Sequence, residues 1–158
     1  MECLSCHHQK GSNCMGCHEQ QVHFIRGEAL GEKETRPDVM AEGVKCAECH
    51  ATLSEKHSLK EIKKTCIECH ETRYGEMTDA WQREISEKLR RVRGLLELLK
   101  AEKKKASELE RRKVETIVKE AEGLLSAVEK DESKGVHNFI YAQKLISEAE
   151  GKILSIKK

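Results

Sequence analysis

Large aromatic side chains are scarce in this chain: two Phe, two Tyr and one Trp in 158 residues. So few rings do not build an ordinary core, and something other than side chains is expected to fill part of the interior. No apolar run approaches the roughly 18 residues that a spanning helix needs, and 36% of the residues are charged, which excludes a membrane span and a rigid β-sandwich. An excess of either charge sign is also missing. With 29 basic and 28 acidic side chains the formal net charge is +1, whereas a phosphate-binding domain is normally strongly basic, so a nucleic-acid partner is not expected. Pro37 is the single proline and, with Gly27, Gly31 and Gly43, marks a stretch of loops.

What the chain does have is eight cysteines and eight histidines, unevenly spread. All the cysteines and seven of the histidines precede residue 77. Residues 1–76 hold 10 basic and 13 acidic side chains, and residues 77–158 hold 19 and 15. The chain therefore divides into a Cys/His-rich segment, 1–76, and a charged helical segment, 77–158.

Every cysteine belongs to a C-x-x-C pair, and a histidine follows each pair at once: Cys3-Leu-Ser-Cys6-His7, Cys14-Met-Gly-Cys17-His18, Cys46-Ala-Glu-Cys49-His50 and Cys66-Ile-Glu-Cys69-His70. Structural zinc is the alternative, because the last two pairs match the spacing of a zinc ribbon. Zinc has no use for the trailing histidine. At about one histidine per twenty residues, four hits in four have a chance probability on the order of 10⁻⁵, and C-x-x-C-H is the signature of c-type haem attachment. Two thiols three residues apart can form thioethers to the two vinyl groups of one porphyrin, and the next residue then lies under the iron. The cofactors expected are four covalently bound haem c groups: haem I on Cys3, Cys6 and His7, haem II on Cys14, Cys17 and His18, haem III on Cys46, Cys49 and His50, and haem IV on Cys66, Cys69 and His70.

Four histidines remain, His8, His23, His57 and His137, for four distal positions. If each takes one iron, every haem has two imidazoles, no coordination site is open to a substrate, and the protein is an electron carrier rather than an enzyme. Two imidazoles also favour low reduction potentials, since a Met ligand is what raises them. Met15, Met40 and Met77 are possible thioether ligands but read as packing. His8 adjoins His7, and Cα atoms 3.8 Å apart cannot reach opposite faces of one ring, so His8 serves a different haem. His23 and His57 follow His18 and His50 by five and seven residues, and crossing to a neighbouring haem suits them better than a nearly extended tether around one ring edge. Cys14 follows His7 by only seven positions, which brings haems I and II close, as electron hopping requires.

Four macrocycles in about 70 residues supply the apolar surface that a short polar segment lacks. The fold class expected is all-α: a haem-packed N-terminal half with single helical turns at the motifs and little other regular structure, then a C-terminal antiparallel bundle of two to three helices. Thr78 and Asp79 offer N-cap chemistry before Trp81, Ile85, Leu89, Val92, Leu96 and Leu99, which recur on one face. Lys100–Ala106 reads as a turn. Ser107 and Glu110 form a capping-box pattern ahead of Val114, Ile117, Val118, Ala121, Leu124, Leu125 and Val128. Asp131–Gly135 breaks that helix, and Asn138 can cap a third with Ala142, Leu145, Ile146, Ala149, Ile153 and Ile156 on its apolar face. Short breaks favour an antiparallel arrangement over a long parallel coiled coil. The basic clusters read as solvated faces, with Arg83, Arg90, Arg91 and Arg93 as alternative partners of haem propionates. Ligation by His137 would pin the helical segment to the haem array.

With these motifs the chain resembles a tetrahaem member of the multihaem c-type cytochromes. The segment Gly135-Val136-His137-Asn138 is similar to the element before a C-terminal helix in the nitrite-reductase and hydroxylamine-oxidoreductase-like relatives, which implies a distal ligand role for His137. The C-x-x-C-H-H form at His7-His8 resembles the extracellular cytochrome filament proteins, which implies that His8 ligates a neighbouring haem. The reductases keep one haem open, often on an altered motif, whereas all four motifs here are standard. The resemblance thus implies electron transfer with redox partner proteins or extracellular acceptors, in a homo-oligomer or conductive filament; a soluble periplasmic shuttle and a small multihaem reductase are the alternatives. Thioether attachment occurs outside the cytoplasm, so a periplasmic, cell-surface or extracellular location is expected, with a leader removed before Met1-Glu2-Cys3.

Overall fold

Helix is the only regular structure among the residues that the computed structural model describes, which are 14–31, 35–50, 59–102 and 107–156. The described residues form eight helices: α1 (Cys14–Cys17), α2 (Glu19–Arg26), α3 (Val39–Gly43), α4 (Cys46–Cys49), α5 (Leu59–Cys69), α6 (Arg73–Glu102), α7 (Glu108–Lys130) and α8 (Phe139–Ser155). None of them is long and apolar enough to cross a membrane.

The last three helices share one apolar core. Ile85, Val92, Leu96 and Leu99 of α6 meet Val114, Ala121, Leu124, Leu125 and Val128 of α7, and Ala142, Leu145, Ile146, Ala149 and Ile153 of α8. These positions recur every three or four residues, so each helix turns one continuous apolar stripe inward and leaves its charges in solvent. The cross-helix ion pairs give the directions. Arg93 reaches Glu129, and seven residues later Lys100 reaches Glu122, so α6 and α7 run oppositely. Gln143 donates to Glu84 and Arg91 pairs with Glu150, so α6 and α8 run the same way.

Local chemistry starts and stops the helices. At the head of α7 the Glu110 carboxylate accepts from the Ser107 N–H at 2.9 Å and from its hydroxyl at 2.5 Å, as the S-x-x-E pattern anticipates. Asn138 Oδ1 accepts from the Tyr141 N–H at 3.0 Å and starts α8. Thr78 and Asp79 do not start α6. The helix begins at Arg73 and crosses residue 76, and the Thr78 hydroxyl donates back to the Tyr74 carbonyl at 2.9 Å from inside it. It also continues to Glu102, past the expected turn at Lys100.

The expectation of little more than single helical turns before residue 77 is also corrected. The eight-residue α2 and eleven-residue α5 are regular helices, and α2 has a packed side. Phe24 is fully buried in the three-helix core, its ring 5.2 Å from that of Tyr141, whose hydroxyl accepts from the Ala29 N–H at 3.1 Å. Gln21 donates to the Lys130 carbonyl at 3.1 Å, at the far end of α7. Trp81, expected on the buried face of α6, is half-buried and stacks on Phe139, with centroids 5.0 Å apart.

Candidate metal centre at His50 and His137

The third and fourth C-x-x-C-H motifs share a local form. The backbone N–H of His50 donates to the Cys46 carbonyl at 2.8 Å, and that of His70 to the Cys66 carbonyl at 2.9 Å. Each motif is therefore one helical turn, which puts its two cysteines, three residues apart, on the same side. Cys17, Cys46, Cys49, Cys66 and Cys69 form no disulfide among the described residues. Burial pushes the Cys49 thiol up, and the nearby thiols of Cys66, Cys69 and Cys46 and the Glu48 carboxylate add to the shift. The His70 ring stacks on Tyr74 at 4.5 Å, and the Arg73 guanidinium lies over the other ring of that pair, 5.5 Å from the Tyr74 centroid.

His137 sits on the loop between α7 and α8, and that loop is built rather than slack. Glu132 and Lys134 hold positive φ angles of 60° and 56°, which side-chain-bearing residues seldom adopt, and Gly135 follows at 91°. Several contacts hold this backbone in place. Gln82 of α6 donates to the Ser133 carbonyl at 3.0 Å, the His137 N–H donates to the Ser133 hydroxyl at 3.1 Å, and Asn138 Nδ2 donates to the carbonyl of Ile25 in the last turn of α2 at 3.3 Å. Gly135 lies against Ile85 so closely that a Cβ there would fall 2.8 Å from Ile85 Cγ1.

The result is a fixed imidazole. His137 Nδ1 lies 2.6 Å from Oδ1 of Asp131, whose side chain is completely buried and whose Oδ2 accepts from the Ser133 hydroxyl. A carboxylate only accepts, so Nδ1 carries the proton and Nε2 is the nitrogen that can bind a metal. The centroid of the His137 ring lies 6.1 Å from that of the His50 ring, with the two planes tilted by 54°. Asp38 is the N-cap of α3, its carboxylate accepting from the Met40 N–H. Burial raises its carboxyl above the ordinary range, while the Met40 N–H it accepts from and the His137 ring pull it back. Val39, Met40 and Ile140, within three residues of Asp38 or His137, are exposed apolar side chains.

The remaining candidates are placed in part. His18 precedes α2 and His23 lies in its last turn, between Glu19 at 3.6 Å and Glu28 at 3.8 Å. His23 Nδ1 is buried with no hydrogen-bond partner among the described residues. Cys3, Cys6, His7, His8 and His57 lie outside the described residues. Among the described residues no group of three or more His, Cys, Asp and Glu side chains is arranged to hold a metal ion. Arg91 and Arg93 are engaged by Glu150 and Glu129 rather than turned to the motifs. Arg83 and Arg90 line an open groove with Lys134.

Sequence reasoning missed Asp131, Ser133 and Asp38 around His137. The available signal was an acidic residue six positions before a candidate ligand, within a loop short enough to fold the two together. Compared with known proteins, the chain matches no family model, no curated protein and no solved structure.

Proposed function

We propose that this protein is an extracytoplasmic tetrahaem c-type cytochrome that carries electrons. The observation that carries the reading is the close approach of the His50 and His137 rings. Metal–nitrogen bonds of about 2.0 Å, with about 1.2 Å more from each nitrogen to its ring centre, separate two trans imidazoles by about 6.4 Å; these rings stand 6.1 Å apart. Zinc on the neighbouring thiols of Cys46, Cys49, Cys66 and Cys69 is the competing reading, but it would leave the two imidazoles unexplained. They match what an iron needs when a porphyrin supplies the other four positions. His50 ends a C-x-x-C-H motif, so covalent attachment and proximal ligation come from one turn of chain and distal ligation from the α7–α8 loop. The exposed apolar residues Val39, Met40 and Ile140 suit the faces of a large apolar ring.

The other haems follow the same accounting: haem I on Cys3, Cys6 and His7, haem II on Cys14, Cys17 and His18, and haem IV on Cys66, Cys69 and His70. His8, His23 and His57 are the distal ligands. His18 to His23 is a helical path with a rise of about 7.5 Å, shorter than the span between two ligand backbones on one haem, so His23 serves a haem other than II. With both faces of every iron taken, the protein exchanges electrons with redox partner proteins or extracellular acceptors and makes no bonds.

The test is production in a host that attaches haem to C-x-x-C-H motifs. Four haems per chain by pyridine haemochrome, low-spin spectra in both oxidation states and no carbon monoxide binding are expected. His137→Ala should leave one haem high-spin and reactive to carbon monoxide. Bound zinc without a Soret band would overturn the haem reading, and a high-spin haem turning over nitrite or hydroxylamine would replace the carrier with a reductase. Electron microscopy of the native material separates a filament from a soluble shuttle.

A further inference from the structure

We propose that Asp131 is a positioning residue for the distal haem ligand: it holds the His137 ring through Nδ1–H, directs Nε2 to the iron, and lowers the reduction potential of that haem. The inference rests on the reading of His137 as a haem III ligand. Three observations carry it. The Asp131 side chain is completely buried, and a buried carboxylate is retained only where its charge is paired and hydrogen-bonded. Its two oxygens are both used, Oδ1 by His137 Nδ1 at 2.6 Å and Oδ2 by the Ser133 hydroxyl, so the carboxylate cannot rotate away. Ser133 in turn accepts from the backbone N–H of His137 at 3.1 Å, and its carbonyl is held by Gln82 of α6. The closed ring Asp131–Ser133–His137 is thereby tied to the bundle, and the loop bears two residues with positive φ to achieve it.

The chemical consequence has a definite sign. A carboxylate that accepts the Nδ1 proton makes the opposite nitrogen a stronger donor, and a stronger donor favours Fe(III) over Fe(II). The haem accepts one electron with its ligands unchanged, so the preference appears directly as a lower potential.

The test uses the holoprotein. His137→Ala first identifies the haem III signals by their loss from the low-spin ferric EPR spectrum. Asp131→Asn keeps the shape and an acceptor oxygen but removes the charge. It should weaken the Fe(III) preference of that haem about tenfold, an upward shift of about 59 mV for one electron, with altered g-values for the same haem and the other three unmoved. Ser133→Ala removes the hydroxyl that shares the Asp131 charge and should shift the potential the other way. Should Asp131→Asn fail to accumulate, Ser133→Ala decides alone. If the haem assigned through His137 keeps its potential and g-values in the variants while only thermal stability falls, Asp131 is structural and the inference is overturned. If His137→Ala removes no low-spin signal, the ligand assignment itself fails, and that outcome is distinct.

Discussion

Gly135→Ala should be among the most damaging single-methyl additions in this chain. The residue has φ of 91°, where a Cβ meets the backbone carbonyl, at a cost of about 1–2 kcal/mol. The new Cβ would also fall 2.8 Å from Cγ1 of Ile85, a fully buried residue in the three-helix core. Forcing a core side chain aside adds about 1–3 kcal/mol. The total is about 2–5 kcal/mol, which for a chain of this size lowers the melting temperature by about 5–15 °C. Far-UV circular dichroism of the holoprotein in guanidinium and on heating reads the loss. A double-mutant cycle tests the cause. Ile85→Ala alone costs about 2–5 kcal/mol by leaving a cavity, but it removes the atom that the new methyl strikes, so the pair should fall short of the sum by at least about 1 kcal/mol. Additivity within about 0.5 kcal/mol, or a cost below about 1 kcal/mol for Gly135→Ala, would refute the packing argument.

Tyr141→Phe removes the acceptor of the Ala29 N–H and leaves that donor unsatisfied, so it should cost about 1–2 kcal/mol in chemical denaturation; an unchanged midpoint would mean that this hydrogen bond contributes nothing. Ser107→Ala removes the α7 cap, for an expected loss of about 1 kcal/mol on the same assay. Stability should fall in acid. Hydrogen bonds from Lys88 and Gln143 to Glu84, from Ser107 to Glu110 and from Arg91 to Glu150 hold these carboxyls below their ordinary 4.5. Their contribution is present above that value and is lost as pH falls through the lower folded values, with Asp38, shifted upward by burial, working against the trend. A melting temperature that rises as the pH drops below about 4.5 would contradict this.

The helical segment was legible because its signals are local and redundant. Ser107 with Glu110, and Asn138 before a stripe of Ala, Leu and Ile, specify helix starts that the hydrogen bonds of α7 and α8 reproduce. Thr78 and Asp79 misled because they offer the same cap chemistry to a helix already running. Once the chain is helical at Tyr74, the Thr78 hydroxyl finds the carbonyl four residues back and caps nothing. Phe24 and Tyr141 were illegible for a different reason. They are 117 residues apart in a chain with five aromatics, and no periodicity announces that a ring on α2 fills a space left between α6, α7 and α8. The same holds for Asp131. A lone acidic residue in a loop is ordinary until the fold buries it against a histidine.

The placement of His137 also explains why the loop tolerates strain. A carrier works best when its iron ligands move little between oxidation states, and that calls for a ligand mounted on something stiff. Among the described residues before α6, Phe24 is buried in the apolar core. The three-helix core is stiff, but its helices turn their apolar stripes inward and have no histidine to offer. The turn from α7 to α8 carries His137, whose ring lies 6.1 Å from that of His50. Turning the chain there while raising a histidine out of it takes the positive φ angles at Glu132 and Lys134, which cost about 1 kcal/mol or more each. Asp131, Ser133, Gln82 and Asn138 offset that cost with hydrogen bonds to the loop, and the same bonds fix the ring. On the proposed reading, the strain and the ligand orientation are therefore two consequences of one requirement, a distal imidazole borrowed from a rigid bundle.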